Sequence, residues 1–593
     1  MTILQALDRY YGRLPDVAPP GWSMEKFGWC VVIDGDGRVL DVENLHGVSL
    51  KGKQQIVLRK VPASFSRTGK SPRAFFLWDA AAYVFGVPSP KEHRASDKHA
   101  AFVALHTERL AGHEDDGLVA LRRFLERWQP EHFASLPHGT PEMLDTNIMF
   151  RLEGDAGYLH ERPAARALVD RSASSGNGGQ MCLVSGAHGP VARLHPTIKG
   201  VNGAQSSGAA LVSFNLEAFT SYGQEQGGNA PTSEAVAFRY GTALNQMLQR
   251  DGRNRLRRPI GDATVLFWAD ASEAAATDAA DNWMSAVLDE VTDEQEAFRL
   301  RGQLDAIAAG CPASDIVPGV RDGTRFHVLG LAPNAARLAV RFWLTDSFDH
   351  FARAVAAHAQ DMRIEPLPQR WGAAPSVTRL LAETTALQGE LKNVPPQLAG
   401  EMMRAVLTGG PYPQSLLAAA LMRLRAGDDA GRGWHAAVIR GVMMRSQILS
   451  EAGEPPMALD RDHEDPGYQL GRLFAVYELA QRAALGRVNA SIRDRYFGAA
   501  SATPASVFPL IVRGGQNHLS KVRKEKPGWA HLIERELEEI HSHLEAELPR
   551  TLNLQRQGSF AIGYYHQRAA KLTSDKGEVI DPTVQPETDE DDA

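Results

Sequence analysis

The residues with the most distinctive chemistry lie between Arg193 and Asn215. A Pro-broken entry with Arg193, His195 and Lys199 precedes a loop of small residues, and the apolar run Ala209 to Phe214 follows. Glycine permits sharp turns and close approach to a ligand, and consecutive backbone N–H groups can bind an anion. No Gly-Lys-Ser/Thr follows the glycines, so the stretch is not a P-loop. The residues therefore indicate either an ordinary loop before a buried strand or a backbone-binding loop.

A second candidate region is a basic run from Asn44 to Trp78, which contains no Asp or Glu. Its positive charges are Lys51, Lys53, Arg59, Lys60, Arg67, Lys70 and Arg73. A loop of small residues with basic side chains, such as SFSRTGKSPRAFFLW, can contact DNA phosphates or enter a groove of the duplex. Most charge runs are solvated faces. The lack of balancing acids nevertheless favours a nucleic-acid surface.

Two further basic clusters allow two interpretations each. One cluster follows a predicted helix over 235–249 and contains Arg250, Arg253, Arg255, Arg257 and Arg258. The other lies on a predicted helix over 506–524 and contains Arg513, His518, Lys521, Arg523 and Lys524. The next predicted helix, 529–547, is acidic. Each cluster is either a solvated or internally paired helix segment, or a set of phosphate contacts.

Catalytic and metal-binding patterns are weak. The string DRDHED contains Asp460, Asp462 and Asp465 directly before a predicted helix, where acids are favoured by capping and by the helix dipole. Cys182 begins CLVSG, which has the outline of half a zinc knuckle, but no matching CxxC occurs and structural zinc needs four ligands. We therefore expect no catalytic site, no metal and no cofactor. A metal-dependent hydrolase built on Asp460, Asp462 and Asp465 remains an alternative.

Composition indicates an ordinary globular protein of about two to four domains, because 593 residues exceed one hydrophobic core. The three cysteines form no disulfide framework, and neither a signal peptide nor a membrane span is expected, so the predicted location is the cytoplasm. The last seven residues carry five acids. Removing these from the formal net charge of −7 leaves about −2, so local patches decide nucleic-acid binding.

The pattern of elements predicts an α+β fold: an N-terminal mixed α/β, multi-lobed region with hairpins and β-sheets, then a C-terminal all-α helical bundle. An Asp-Gly turn between the runs 27–33 and 38–42 predicts a hairpin, and 326–331 with 337–344 predicts another. Beyond residue 375 only helical patterns occur. The predicted domains are 1–370, with sub-lobes of about 1–180 and 181–370, the bundle 376–570, and a disordered acidic tail 573–593.

Five strings resemble the large subunit of the type I-C CRISPR Cascade surveillance complex. They are KGVNGAQSSGAALVSFN, AFRYGTAL, DPGYQLGRLFAVYEL, RDRYFGAASATP and FAIGYYHQR, and they extend from residue 199 to residue 568. The resemblance implies a non-catalytic subunit that recognises the protospacer-adjacent motif (PAM) on duplex DNA and promotes duplex opening. It also implies a C-terminal bundle that is similar to the small subunit of the complex from about residue 457, where Met457 would start an internal product.

The partners implied by the resemblance are CRISPR RNA, double-stranded target DNA, the Cascade backbone and crRNA-end subunits, the internally initiated small subunit and an effector nuclease-helicase; no membrane is implied. Combined with this implied role, the side-chain chemistry predicts two groups of DNA- or PAM-binding residues and a path for the displaced, non-target strand. The first group is Arg67, Lys70, Ser71 and Arg73; the second is Lys199, Asn202, Gln205 and Ser206; the path is Arg513, Lys521, Arg523 and Lys524. A free-standing nucleic-acid-binding scaffold is the alternative function.

Overall fold

The computed structural model describes residues 1–15, 17–48, 54–55, 57–65, 67, 71–89, 94–174, 179–249, 252–289, 293–386, 393–446, 453–486, 488–573 and 579–580. Lys51, Lys53, Lys70, Arg250 and most of the predicted tail lie outside the described residues. The chain divides into two compact units. The N-terminal unit comprises Thr2–Pro196 and Ser213–Ala243, and the C-terminal unit comprises Thr197–Val212 and the chain from Leu244 onward.

The secondary structure is mixed. The strands are β1 (Trp22–Phe27), β2 (Trp29–Ile33), β3 (Val39–Asn44), β4 (Gly47–Val48), β5 (Gln54–Gln55), β6 (Val57–Pro62), β7 (Trp78–Ala80), β8 (Asn147–Leu152), β9 (Gln180–Met181), β10 (His188–Gly189), β11 (Thr197–Ile198), β12 (Ala209–Ala210), β13 (Thr264–Asp270), β14 (Arg325–Asn334), β15 (Arg337–Ser347), β16 (Leu572–Thr573) and β17 (Val579–Ile580).

The helices outnumber the strands in the second half of the chain. They are α1 (Ile3–Tyr11), α2 (Ala81–Phe85), α3 (Ala95–Arg109), α4 (Asp116–Arg127), α5 (Pro163–Ser174), α6 (Glu234–Met247), α7 (Ala274–Leu288), α8 (Glu294–Ala308), α9 (Ala313–Ile316), α10 (Phe348–Met362), α11 (Val377–Glu383), α12 (Pro396–Thr408), α13 (Gln414–Arg425), α14 (Trp434–Met444), α15 (Pro466–Leu485), α16 (Ile492–Ala502), α17 (Pro504–Glu525), α18 (Pro527–Ser542) and α19 (Leu554–Ala569).

The N-terminal unit is built on a four-stranded sheet with the order β3-β2-β8-β7. Strand β2 is apolar along its whole length and is buried on both faces, as expected for a central strand. The amphipathic helix α4 packs against β2 and β8, and its Phe124 lies 5.4 Å from Phe150 of β8 between ring centroids. A separate antiparallel ribbon of β1 and β6 leads into the basic loop that connects β6 to β7.

The C-terminal unit contains a five-stranded sheet with the order β11-β12-β15-β14-β13. Its three long strands form an antiparallel meander. Phe326 and Phe342 of this meander, together with Phe348 and Phe351 of α10, belong to one continuous hydrophobic core. Ser347 caps α10 by accepting a hydrogen bond from the N–H of His350 at 3.1 Å, which explains why the helix begins directly after the strand.

The C-terminal helices pack most closely where glycines remove side chains. Helix α15 approaches α19 so tightly that a Cβ on Gly471 would lie 2.0 Å from the carbonyl oxygen of Phe560. A Cβ on Gly563 would lie 2.1 Å from the carbonyl oxygen of Tyr468. Both distances are far below van der Waals contact, so this crossing requires glycine at both positions.

The predicted α+β class is confirmed, with small sheets in the N-terminal region and helices in the C-terminal region. Both predicted hairpins form, as β2-β3 and β14-β15. The predicted strand over 209–214 is wrong beyond Ala210, because the chain leaves this sheet and enters the N-terminal unit at Ser213. Helix α16 was not predicted, since its sequence IRDRYFGAASA lacks an apolar period of 3.6 residues.

The helix crossing gives a stability prediction. Gly471→Ala should lower the free energy of unfolding of the C-terminal bundle by about 2 kcal/mol, because α15 and α19 must separate to admit a methyl group. Thermal unfolding of the full chain by calorimetry would measure this as a lower transition midpoint. Gly514→Ala on α17 is the matched control, since no atom lies within 4 Å of its added Cβ. Equal midpoints for the two variants would contradict the close crossing.

Candidate nucleic-acid interface

The basic loop between β6 and β7 contains the first predicted group of DNA-binding residues. Arg67, Ser71 and Arg73 are all exposed residues, but the side chain of Arg67, at 27% exposure, is held by an ion pair with Asp79. Lys70, predicted from sequence as part of this group, lies outside the described residues. The three described members of the first predicted group therefore share one loop, but Arg67 differs from the others in its surroundings.

Asp79 anchors this loop from inside the protein. Its carboxylate is fully buried and accepts hydrogen bonds from Arg67 Nη2 at 2.6 and 2.5 Å and from the N–H of Phe75 at 2.7 Å. Burial raises the pKa of Asp79 to about 6, against the opposing effect of Arg67. The carboxylate is thus ionised at pH 7.5, and the guanidinium of Arg67 is its counter-ion.

From Arg67 outward, cations and aromatic rings alternate along the loop. The guanidinium carbon of Arg67 lies 3.7 Å from the ring centroid of Phe75 and 3.9 Å from that of Tyr83. Phe75 contacts Phe65 edge to face, with centroids 5.0 Å apart. The guanidinium of Arg73 then lies 4.3 Å from the centroid of Phe65. Each cation–π contact is stabilising, and this series of contacts connects the buried ion pair to exposed Arg73.

His106 supports the second half of the loop. Leu77 has a left-handed backbone with φ of 65°, an uncommon conformation for a residue with a branched side chain. Its N–H donates to Nε2 of His106 at 2.8 Å, while Nδ1 of His106 contacts the carbonyl oxygen of Phe102 at 2.8 Å. The ring must therefore be neutral with its proton on Nδ1. Burial lowers the pKa of His106 to about 4.

An open groove of about 610 Å³ lies beside the basic loop within the N-terminal unit. Prolines, alanines and phenyl rings form most of its surface, and its charged residues are two arginines and one glutamate. The lining residues are Pro20, Gly21, Pro62, Ala63, Phe65, Pro72, Arg73, Ala74, Phe76, Ala101, Leu105, Arg109, Val169, Glu234, Ala235 and Phe238.

The second predicted group occupies one loop of the C-terminal unit, between β11 and β12. The side chains of Lys199, Asn202, Gln205 and Ser206 are all exposed. Two backbone contacts fix the loop: the N–H of Lys199 donates to Asn245 Oδ1 at 2.8 Å, and the N–H of Asn202 donates to Thr264 Oγ1 at 2.9 Å. The backbone is thus held by the fold, and four polar side chains project from it.

The third predicted group lies on α17. Arg513, Lys521 and Lys524 share one exposed face by helical spacing. Arg523 pairs with Glu534 of the acidic helix α18 at 2.5 Å, and Lys521 lies 3.7 Å from Glu525. For Arg513 and Lys524, no carboxylate within the described ranges comes close enough for an ion pair. The predicted internal pairing therefore applies to part of the cluster.

The acids of DRDHED have structural roles in the described region. Asp465 caps α15 by accepting hydrogen bonds from the N–H groups of Gly467 and Tyr468 at 2.7 and 3.1 Å. Between these acids, Arg461 binds two glutamates of α18, Glu536 and Glu539. Across the described part of the chain, no group of three His, Cys, Asp or Glu side chains is arranged to hold a metal ion. In the same residues, no helix is long and apolar enough to cross a membrane.

A comparison with models of known protein families identifies the family of this chain. The family model described as CRISPR-associated protein (Cas_Csd1) matches residues 7–572, nearly the whole chain. The chain belongs to the Cas_Csd1 family of CRISPR-associated proteins. The search of curated proteins found no match.

Several residues that organise this Cas_Csd1 chain's basic loop were missed by sequence reasoning. Asp79, Tyr83 and His106 hold the loop, and Arg109 and Glu234 line the groove. One signal was present for Asp79, because it is the residue at which the acid-free run ends. Tyr83 lies on α2, shortly after the loop, whereas His106, Arg109 and Glu234 lie on α3 and α6, and no local pattern connects any of them to the loop.

The neutral state of His106 gives a pH prediction. The unfolded chain binds a proton on this histidine below its ordinary pKa of 6.5, whereas the folded chain does so only near pH 4. The contribution of His106 to stability is therefore complete above pH 6.5 and is lost as the pH falls toward 4. His106→Phe should cost about 2 kcal/mol at pH 7.5, because the N–H of Leu77 loses its buried acceptor.

Denaturant unfolding of this Cas_Csd1 chain at several pH values would measure the effect. The difference between wild type and His106→Phe should shrink between pH 6.5 and 4. His188→Phe, at an exposed histidine of the same unit, is the control and should give a small difference at every pH. A His106 difference that stays constant with pH would mean that the ring is not held neutral by the fold.

Proposed function

We propose that this chain is the non-catalytic large subunit of a type I-C Cascade complex. In this role it binds duplex DNA, recognises the PAM, promotes duplex opening and R-loop formation, and docks the effector nuclease-helicase. Membership of the Cas_Csd1 family supports a role in a CRISPR complex, and the five sequence strings support the subtype. Guide RNA then reads the target by base pairing, while the protein reads a short motif and the shape of the backbone.

The exposure of Arg73 and its lack of a described carboxylate partner are the main support for DNA binding. Arg73 is exposed, and its loop is anchored at Arg67 and Phe75 by the buried carboxylate of Asp79. Among the residues that the structure describes, no carboxylate lies within ion-pairing distance of Arg73. Its guanidinium is therefore available to a phosphate or to the edge of a guanine, the two groups that arginine binds most often in DNA. Ser71 is exposed nearby on the same loop and supplies a hydroxyl for the backbone or a base.

Two groups of the C-terminal unit are further proposed DNA contacts. The loop with Lys199, Asn202, Gln205 and Ser206 offers amide and hydroxyl groups for base edges and one cation for a phosphate. The face of α17 with Arg513 and Lys524 carries cations without a described carboxylate partner and suits phosphates of the displaced strand. The Cascade backbone and crRNA-end subunits would assemble with this chain around the guide RNA.

Duplex binding by the reconstituted guide complex tests the proposal. With the flanking trinucleotide varied, Arg73→Ala and Lys70→Ala should each weaken binding to the preferred flank about tenfold, since one bidentate base contact contributes about 1–3 kcal/mol. Arg123→Ala is the control, because that guanidinium already donates to the carbonyl oxygen of Gly35 at 2.7 Å.

The pattern of loss separates two roles. If only the preferred flank weakens, the basic loop reads the motif. If every flank weakens equally, these residues hold phosphates and the reader lies elsewhere, beginning with Asn202 and Gln205. A complex that binds duplex DNA regardless of flank, with or without the substitutions, would contradict PAM recognition by this chain.

An internally initiated small subunit is the second part of the proposal. Met457 is the last methionine of the chain, and a product that starts there contains α15 to α19. These helices share their own tight crossing and a buried polar network: fully buried Arg472 donates to Gln567 at 2.9 Å and to Glu539 at 2.6 Å. These contacts within the segment support its proposed role as a separate subunit, although α19 also packs against α13 and α14 of the full chain.

Mass spectrometry of the purified complex tests the small subunit. A product of residues 457–593 should be present beside the full chain, because Met457 directly precedes the helices that form the bundle. Met457→Leu should remove it without changing the length of the full chain. Complete assembly of a functional complex without any such product would refute this part of the proposal.

A further inference from the structure

The groove beside the basic loop has walls of a particular chemistry. Three phenyl rings, those of Phe65, Phe76 and Phe238, line it together with small residues. The guanidinium of Arg109 lies 4.7 Å from the ring centroid of Phe76, and that of Arg73 lies 4.3 Å from the centroid of Phe65. Two guanidinium groups of this groove therefore make cation–π contacts with two of its aromatic rings.

The groove also contains one acidic residue. Glu234, the first residue of α6, is exposed and lines the same groove. Within the described ranges, Arg73, Arg109 and Glu234 have no oppositely charged side chain at ion-pairing distance. The groove thus offers two guanidiniums, one carboxylate and flat apolar surface, and the fold uses none of the three charges in an ion pair.

Two guanidinium groups, a carboxylate and aromatic rings together suit a nucleotide. A nucleotide has a flat base that stacks on aromatic rings, a phosphate that binds guanidinium, and ring or exocyclic N–H groups that donate to a carboxylate. The volume of about 610 Å³ is within the range of about 300–1,000 Å³ typical of small-ligand pockets. A base pair within a stacked duplex cannot enter such a groove, whereas a single unstacked nucleotide can.

We propose that the groove binds one unstacked nucleotide of the target DNA, with the base against the rings of Phe65 and Phe238 and the phosphates at Arg73 and Arg109. The inference rests on the proposed DNA binding and extends it to a site for a single base. Glu234 accepts a hydrogen bond from the exocyclic amine of that base. The site therefore favours adenine, cytosine or guanine over thymine, which has no such amine and whose ring N–H lies between two carbonyl oxygens that repel the carboxylate. Capture of the base holds the duplex open beside the motif.

A side chain from a partner protein is the competing occupant of such a groove. Charge complementarity favours the nucleotide, because two of the three charged residues that line the groove are arginines. A polyanion is attracted to that surface, whereas an apolar peptide gains nothing from it.

Abasic scanning of the target DNA with the reconstituted guide complex tests the inference. Removal of the base at one position in or beside the motif should lower affinity about tenfold for the wild-type complex. Arg109→Ala should lower affinity for intact DNA, and Arg109→Lys should recover part of it through charge alone. At the abasic position, Glu234→Gln should cause no further loss. On intact DNA it should abolish the preference for adenine, cytosine or guanine over thymine.

The controls keep the outcomes distinct. Glu217→Gln, at an exposed glutamate of the same unit outside the groove, should behave as wild type. If flank-dependent binding is normal but no position shows coupling between base removal and Glu234→Gln, the inference is wrong and the proposed function stands. If the groove variants instead change the subunit composition of the purified complex, the groove holds a partner protein and the inference is overturned. If the complex binds no duplex DNA, the proposed function and the inference both fail.

Discussion

The buried carboxylate of Asp79 anchors the described part of the basic loop through Arg67 and the N–H of Phe75. A carboxylate with no solvent exposure is costly unless it is paired and hydrogen-bonded, and Asp79 meets this requirement through Arg67 and two backbone N–H groups. Arg67 is in turn enclosed by the rings of Phe75 and Tyr83. A basic loop without such an anchor would sample many conformations, and ordering it on DNA would cost entropy.

The same principle organises the C-terminal bundle. Arg472 is fully buried, and its guanidinium donates to Gln567, Gln469, Glu539 and the carbonyl oxygen of Arg461. The acids of α18 are therefore divided between two tasks, since Glu536 and Glu539 face this network while Glu534 pairs with Arg523 on the surface. A buried guanidinium with this many acceptors tolerates only one register between α15, α18 and α19.

The two units present different kinds of surface. In the N-terminal unit, cations and aromatic rings alternate around a groove, which suits stacking and phosphate binding together. In the C-terminal unit, the candidate residues are small polar groups on a backbone-anchored loop and cations on one helix face. Under the proposed function, the first surface would bind bases and phosphates together, and the second would contact base edges through its loop and phosphates through its helix.

Sequence alone determined the family, the α+β class, the two hairpins and the position of the basic run, because these depend on local patterns and on strings read directly from the chain. Tertiary structure decided which charges are available. Arg67 and Arg73 are six residues apart in one loop, yet Arg67 is the counter-ion of a buried carboxylate, whereas no carboxylate of the described residues pairs with Arg73. Arg109 and Glu234 reach the groove from helices distant in sequence. The physical reason is that burial and pairing depend on which elements meet in space, and local periodicity carries no information about that.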